Sequence, residues 1–256
     1  MQFINTHSHV YVQRFDADRH EVIERAKQAG ISHILLPDIN ALQRPHLQAL
    51  VAQYPDICVP MLGVHPTYIK QNYKEELDAF ETAFESAKHI CAIGEIGIDL
   101  YRDTTFVAEQ KDAFLYQVRF AQKHNLPIVI HARNAFPHIF DMLSELPNQT
   151  FRGVFHCFSG TLKDAHKAVQ LGFHIGIGGV VTYKNSGLPL IVSEIDISHI
   201  LLETDDPWLP PVPFRGKRNE PSYITYIAQK VAEIKQCSLL EVSQKTTQNA
   251  IQLFSL

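Results

Sequence analysis

The sequence predicts an α/β fold, a single (β/α)8 TIM-type barrel spanning residues 1–256, with its chemistry at the C-terminal ends of the strands. Three observations carry that expectation. Eight short apolar runs recur along the chain and alternate with stretches of helical period. The runs are apolar almost throughout, as strands of a parallel sheet are when both faces are covered. A length of 256 residues also suits one such barrel. An open doubly wound sheet would want a glycine-rich phosphate loop after its first strand. Here that position holds His7-Ser8-His9.

The elements follow in order. The first strand runs through Gln2-Phe3-Ile4-Asn5-Thr6-His7-Ser8-His9, and its two histidines, two apart, share a face at roughly 7 Å between Cα atoms. Asp18 to Ala29 reads as a helix with Val22, Ile23 and Ala26 on one side and Gly30 as its stop. The strand Ile31 to Leu36 ends at Pro37, and a helix near Ala41 to Gln53 leads to the strand Ile57 to Gly63. A helix within Tyr73 to Lys88 precedes the strand His89 to Glu95. A long helix, about Thr105 to His124, leads to the strand Pro127 to His131. A helix through Met142 and Leu143 is followed by the strand Gly153 to Phe158, the helix Leu162 to Leu171 and the strand Phe173 to Ile177. The last strand is His199 to Glu203, and two helices, Pro221 to Lys235 and Leu239 to Phe254, close the chain.

Composition narrows the classes. Hydrophobic residues at 45% and charged residues at 20% are ordinary for a folded globular chain and exclude disordered and fibrous classes. No apolar run approaches membrane-spanning length and no secretion leader is recognisable, so a cytoplasmic protein with no membrane association is expected. Cys58, Cys91, Cys157 and Cys237 form no C-x-x-C pair and are expected to be reduced. A net charge of −4 argues against a protein that coats nucleic acid through many phosphate contacts. Fourteen histidines are the one oddity, and they direct attention to metals or proton transfer.

Residues of metal-ligating type fall at strand ends repeatedly. His7 and His9 end the first strand, Glu95 the fourth, His131 the fifth and His156 the sixth, and Asp205 follows the eighth. In a barrel those ends share one mouth. Singly, His131 or His156 would read as a satisfied core histidine; six such residues at one rim point to a metal centre. Six ligands exceed what one tetrahedral ion takes, and two ions sharing a carboxylate use them well. Glu95 is the expected bridge, with one ion among His7, His9, Glu95 and Asp205 and the other among Glu95, His131 and His156. Imidazoles suit Zn2+ or Mn2+, whereas Mg2+ prefers oxygen, so ligand type leaves Mg2+, Mn2+ and Zn2+ open.

The ordered motifs Thr6-His7-Ser8-His9, Gly63-Val64-His65-Pro66, Ile93-Gly94-Glu95-Ile96-Gly97-Ile98-Asp99-Leu100-Tyr101, Ile130-His131-Ala132-Arg133, His156-Cys157-Phe158-Ser159-Gly160 and Leu202-Glu203-Thr204-Asp205-Asp206-Pro207 resemble the TatD-type metal-dependent deoxyribonucleases of the amidohydrolase superfamily. The resemblance runs from Asn5 through Arg215-Gly216-Lys217-Arg218-Asn219-Glu220-Pro221 to Asn249-Ala250. It implies phosphodiester hydrolysis with two divalent cations on His7, His9, Glu95, His131, His156 and Asp205, the partition just given. The family more often has Asp at position 5 and a small residue at position 206. Asn5 is therefore expected to hydrogen-bond near the ligands, and Asp206 to add negative charge near the mouth.

The expected reaction is exonuclease-type hydrolysis of DNA or another phosphodiester, with no obligate protein partner evident. Glu95, Asp205 and Glu203 form the expected catalytic set, with Asp205 taking the proton from water. His65 is expected to hydrogen-bond a phosphate oxygen or cap the Pro66 turn. Arg133, two past His131, offers bidentate phosphate recognition. Arg215, Lys217 and Arg218 suit the path of a strand backbone, and Asp99 is expected to position the loop after strand four. Two other readings stay open: hydrolysis of a different ester or an amide, such as an aminoacyl ester, on the same centre, and a metal-bound scaffold without catalysis.

Overall fold

The computed structural model describes residues 1–87, 89–101, 103–147 and 150–256. Among them, eight strands alternate with nine α-helices. They run β1 (Phe3–Asn5), α1 (Arg19–Gln28), β2 (Ile31–Leu36), α2 (Arg44–Gln53), β3 (Cys58–Pro60), α3 (Tyr73–Ser86), β4 (Ile93–Asp99) and α4 (Val107–Lys123). Then follow β5 (Ile128–Arg133), α5 (Phe136–Ser144), β6 (Gly153–Phe155), α6 (Leu162–Gln170), β7 (Phe173–Ile177), α7 (Leu188–Glu194), β8 (Ile200–Leu202), α8 (Ile224–Lys235) and α9 (Leu239–Phe254). No helix among the described residues is long and apolar enough to cross a membrane.

All strand pairs are parallel, in the runs β1-β2-β3 and β4 through β8. Backbone hydrogen bonds close both seams between the runs. On one side Leu62 bridges Ile93, with Gly94 N donating to Leu62 O at 2.9 Å. On the other, Thr6 N donates to Leu202 O at 3.1 Å and Asp205 N to His7 O at 3.0 Å. The expected barrel is thereby closed.

Two apolar clusters show which way the strands face. The larger one packs alternate strand residues such as Phe3, Ile34, Ile130 and Phe155 against the helices. The smaller one joins Ile4, Leu35, Met61, Val129, Val154 and Leu201 with Ala250, Leu253 and Phe254. Side chains from opposite sides of a ring can meet only in its interior, so this second cluster is the barrel's core, plugged from below by the end of α9.

Several boundaries differ from the expectation for identifiable reasons. β4 lies four residues further along than expected, through Gly94 and Gly97. Both glycines permit a close approach instead of ending the strand: a Cβ on Gly97, at φ +148°, would stand 1.9 Å from His131 O. β3 is shorter than expected because Pro60 has no N–H to donate, and the remainder of that run forms the seam at Leu62. α7 was not expected. Pro189 in its first turn has the look of a breaker, yet the first turn is where a helix tolerates a missing N–H. The expected end of the third helix at Lys88 lies outside the described residues.

Candidate metal centre

Alternation along each strand places the site. On β5, Val129 is in the interior core and His131 and Arg133 follow at the next same-facing positions. Val154 and His156 are related in the same way at the end of β6, and Leu201, Glu203 and Asp205 beyond β8. The barrel is thus layered, aliphatic below and imidazole and carboxylate above. Glu95 is not at a strand end, as was expected, but inside β4 at an irregularity where Ile93 pairs with Ile128 and Ile96 with Ile130. One extra residue on β4 turns the carboxylate inward.

Glu95 is the hub, 2% exposed. Its Oε2 lies 3.1 Å from His7 Nε2 and 3.5 Å from His9 Nε2. Its Oε1 lies 2.7 Å from His156 Nε2, 2.9 Å from His131 Nδ1 and 3.2 Å from His65 Nε2. Asp205 Oδ1 stands beside the first group, 3.6 Å from His9 Nε2 and 3.9 Å from His7 Nε2. The six residues expected as ligands therefore converge, and each oxygen of one carboxylate faces its own set of rings. Among the described residues, three groups of ligating atoms compact enough for one ion result: His7, His9 and Glu95; His7, His156 and Asp205; and His65, Glu95 and His131.

Hydrogen bonds behind the rings select their tautomers. Tyr11 OH donates to Pro37 O at 2.7 Å, so at 3.1 Å it accepts from His9 Nδ1, leaving His9 Nε2 turned to Glu95. Asp99 Oδ2 lies 3.0 Å from His131 Nε2, leaving His131 Nδ1 for the centre. His65 is the reverse. Its Nδ1 accepts from Thr67 N at 3.2 Å and caps the turn at Pro66, so its proton is on Nε2, the atom facing Glu95. Neither Tyr11 nor the Asp99–His131 contact was anticipated. The available signal was spacing, since Tyr11 continues the alternation of His7 and His9, and Asp99 stands across from Arg133 in the β4–β5 register.

The charges follow from burial and neighbours. Burial and then the facing His156 push His7 down to about 3. Burial opposes charge on His9 too, but hydrogen bonds that the ring donates to Asp205 and Glu95 outweigh it and raise that ring to about 9. His131 is likewise raised to about 9, against burial, by Asp99 and Glu95. For Glu95 burial is overcome by His156, His65 and His7, which hold the carboxylate well below its usual range. The donor set fits divalent metal binding. His7 Nε2 and His9 Nε2 converge to 3.2 Å beside an ionised carboxylate, an arrangement that a cation relieves and two lone pairs do not.

The remaining expected residues are placed as follows. Arg133 lines the mouth with its guanidinium 3.9 Å from the centroid of the Tyr101 ring. Glu203 is fully buried behind His156, its Oε1 accepting from Cys157 N and standing 3.8 Å from His156 Nδ1. Burial raises its carboxyl to about 7. Glu203, expected in the catalytic set as a residue acting from behind the ligands or as a structural one, does not line the cavity and stands behind His156. Asn5 pins the last ligand's loop, its Oδ1 accepting from Thr204 N at 3.0 Å and its Nδ2 donating to Thr204 Oγ1 at 2.7 Å. Asp206 is not at the mouth, contrary to expectation. It is fully buried, accepts from Thr204 Oγ1 at 2.6 Å, and is raised to about 7 by burial. Asp99 takes the expected loop role, accepting from Tyr101 N at 2.9 Å, in addition to its contact with His131. Of the basic loop, Arg218 is held by Asp18 at 2.6 and 2.7 Å, and Arg215 lies 4.3 Å from the Tyr183 ring centroid. The four cysteines are free.

A parallel barrel with an imidazole and carboxylate cluster at the mouth defines the class of metal-dependent hydrolases. Residues 4–255 match the TatD related DNase family, and the chain belongs to that family. It is 36% identical over 253 residues to the metal-dependent hydrolase YabD of Bacillus subtilis, covering 98% of each chain. It is 35% identical over 250 residues to the 3'-5' ssDNA/RNA exonuclease TatD of Pectobacterium parmentieri, covering 95% of each. Its fold superposes on the crystal structure of the TatD homologue YjjV from Escherichia coli with a TM-score of 0.92 at 30% identity, covering 99% of this chain and 98% of that one.

Proposed function

We propose that residues 1–256 act as one barrel-shaped phosphodiesterase that removes nucleotides from single-stranded DNA or RNA with two divalent cations. The observation that carries this reading is the divided Glu95 carboxylate, Oε2 toward His7 and His9 and Oε1 toward His131 and His156. Names of relatives support the substrate: several are 3'-5' ssDNA/RNA exonucleases. His7, His9, Glu95 and Asp205 would hold one cation, and Glu95, His131 and His156 the other, with Mg2+, Mn2+ or Zn2+ as candidates. Cations there lower the pKa of a water and screen the charge of a phosphate.

The side chains supply the rest. Hydrogen bonding to His9 and the nearby imidazoles overcome burial to keep the Asp205 carboxyl below its usual range. At 14% exposure on the cavity wall it is an ionised base able to take a proton from the attacking water. His65 presents an N–H, so its role is to donate to a phosphoryl oxygen, not to ligate. Arg133 offers two parallel donors to the same phosphate. Glu203 acts by steadying His156 and the turn at Cys157.

The test is a substrate panel of single-stranded DNA, RNA, bis-p-nitrophenyl phosphate and an acyl ester, run on chelated protein before and after each cation is restored. We expect shortening of oligonucleotides that requires cation and falls by at least about 100-fold in His131→Ala and Asp205→Ala. Fully metal-loaded protein that cleaves the acyl ester and leaves every phosphodiester intact would sink the reading.

A further inference from the structure

The mouth is a cavity of about 600 Å3, the size of a small-molecule pocket. One wall is the imidazole and carboxylate cluster. The rest of the lining includes the apolar side chains of Ile39, Leu188, Ile191, Trp208 and Leu209. Arg133 is the one lysine or arginine among the described residues that line it. A site that gripped a double helix through its phosphates would need several lysines or arginines spread over a broad surface; this small chamber has one arginine.

Trp208 stands out in the lining. It is 41% exposed, although the indole is the side chain most costly to leave in water. Its ring meets His9 edge-on, with centroids 5.1 Å apart. Its backbone is fixed on both sides: Trp208 N donates to Asp205 O at 3.0 Å, and Trp208 O accepts from Asn219 Nδ2 at 2.7 Å. Asn219 is itself fully buried. An exposed indole on an anchored loop, against a candidate ligand and inside the cavity, is a preformed flat surface. Every nucleobase has a π-face that such a surface can take, whatever its sequence.

Building on the phosphodiesterase reading, we propose that Trp208 is the platform on which a substrate base stacks, so that the site accepts an unpaired terminal nucleotide with its phosphate at the Glu95 cluster. Recognition then rests on the base face and on one phosphate, which suits a chain of net charge −4. A paired end has its base held at its edge by the partner strand and on its inner face by its neighbour, and must fray before the nucleotide can enter so small a chamber.

The chain's sole tryptophan makes the test direct. Intrinsic fluorescence of the unmodified full-length protein is titrated with a deoxynucleoside monophosphate and with deoxyribose 5-phosphate. Quenching by the nucleotide and not by the sugar phosphate is expected; equal responses, or none, overturn the proposal. In the second arm, kcat/KM is compared for single-stranded oligonucleotides that carry a normal or an abasic residue at the end the enzyme removes. The preference for the base-bearing end should fall roughly 5- to 150-fold in Trp208→Ala and return in Trp208→Phe. An unchanged preference in Trp208→Ala overturns it, as does failure of the Phe variant to restore what Ala loses, since a plain shield over His9 would not track aromaticity. The two readings fail separately. Base-dependent quenching without hydrolysis removes the phosphodiesterase and keeps the platform, and metal-dependent cleavage indifferent to the base does the opposite.

Discussion

Replacing Asp99 by Asn tests whether the hydrogen bond behind His131 tunes the centre. Asp99 Oδ2 sits 3.0 Å from His131 Nε2, with both side chains largely buried. The pair of carboxylates around His131 raises it from 6.5 to about 9 against the effect of burial. That rise corresponds to about 3 kcal/mol in favour of positive charge at the ring. The hydrogen bond to Asp99 is the first of the effects that favour that charge, so Asp99→Asn should weaken cation binding. The tautomer adds to this. An amide N–H facing Nε2 turns that atom into an acceptor and moves the ring proton to Nδ1, where a lone pair is wanted. The combined loss should fall within the roughly 10- to 100-fold range typical when a carboxylate behind a ligating histidine is removed. The assay is calorimetric titration of chelated protein with Mn2+ or Zn2+, paired with activity as a function of cation concentration. Activity should return at high cation concentration, because the ligand is misdirected and not deleted. Equal affinity in Asp99→Asn and the parent chain, with the fold intact by circular dichroism, would refute the reasoning.

Two further predictions concern the same layer. His9 and His131, both raised to about 9, carry a second ring proton at pH 7 in the absence of cation, whereas His7, lowered to about 3, does not. His156 is raised as well, so cation uptake at pH 7 should release protons, fewer as pH rises past 9, with affinity climbing through that window; calorimetry in buffers of different ionisation heat measures it, and pH-independent release would contradict it. A Cβ on Gly176 would stand 2.6 Å from Glu203 Oε2 and 3.0 Å from His156 Cα, and Glu203 is held in place by Cys157 N. Gly176→Ala should accordingly cost roughly 1–3 kcal/mol, read as a lower denaturation midpoint, and a midpoint equal to the parent's would show that Glu203 yields freely.

What the sequence made legible was set by period and chain order. His131 and His156 follow interior aliphatics by two residues, so once a barrel is inferred their common destination is fixed by strand geometry alone. Glu95, expected to bridge two cations, lies at the centre of the imidazole cluster but was assigned to the wrong place in its strand, because a strand irregularity leaves no local mark beyond two glycines that look like punctuation. Glu203 shares the parity of Asp205 but not its height in the barrel, and parity alone cannot separate a group on the cavity wall from one a layer behind it. Arg218 read as part of a basic patch because Asp18, which holds it, is 200 residues away. Trp208 carried no signal, since an aromatic in a proline-rich loop resembles a core anchor until its surroundings are seen.

The seam where Asp205 N meets His7 O joins groups at opposite ends of the polypeptide. A nascent chain that has made its first seven strands has the early histidines and the central glutamate, yet lacks the final ligand and the ladder that orients them. Strong cation capture is thus postponed until the ring shuts. Since an ion that prefers the shut form draws the population toward it by mass action, divalent ions would govern how much of this protein is present as finished barrel, and chelation should loosen the first and last strands before the middle ones.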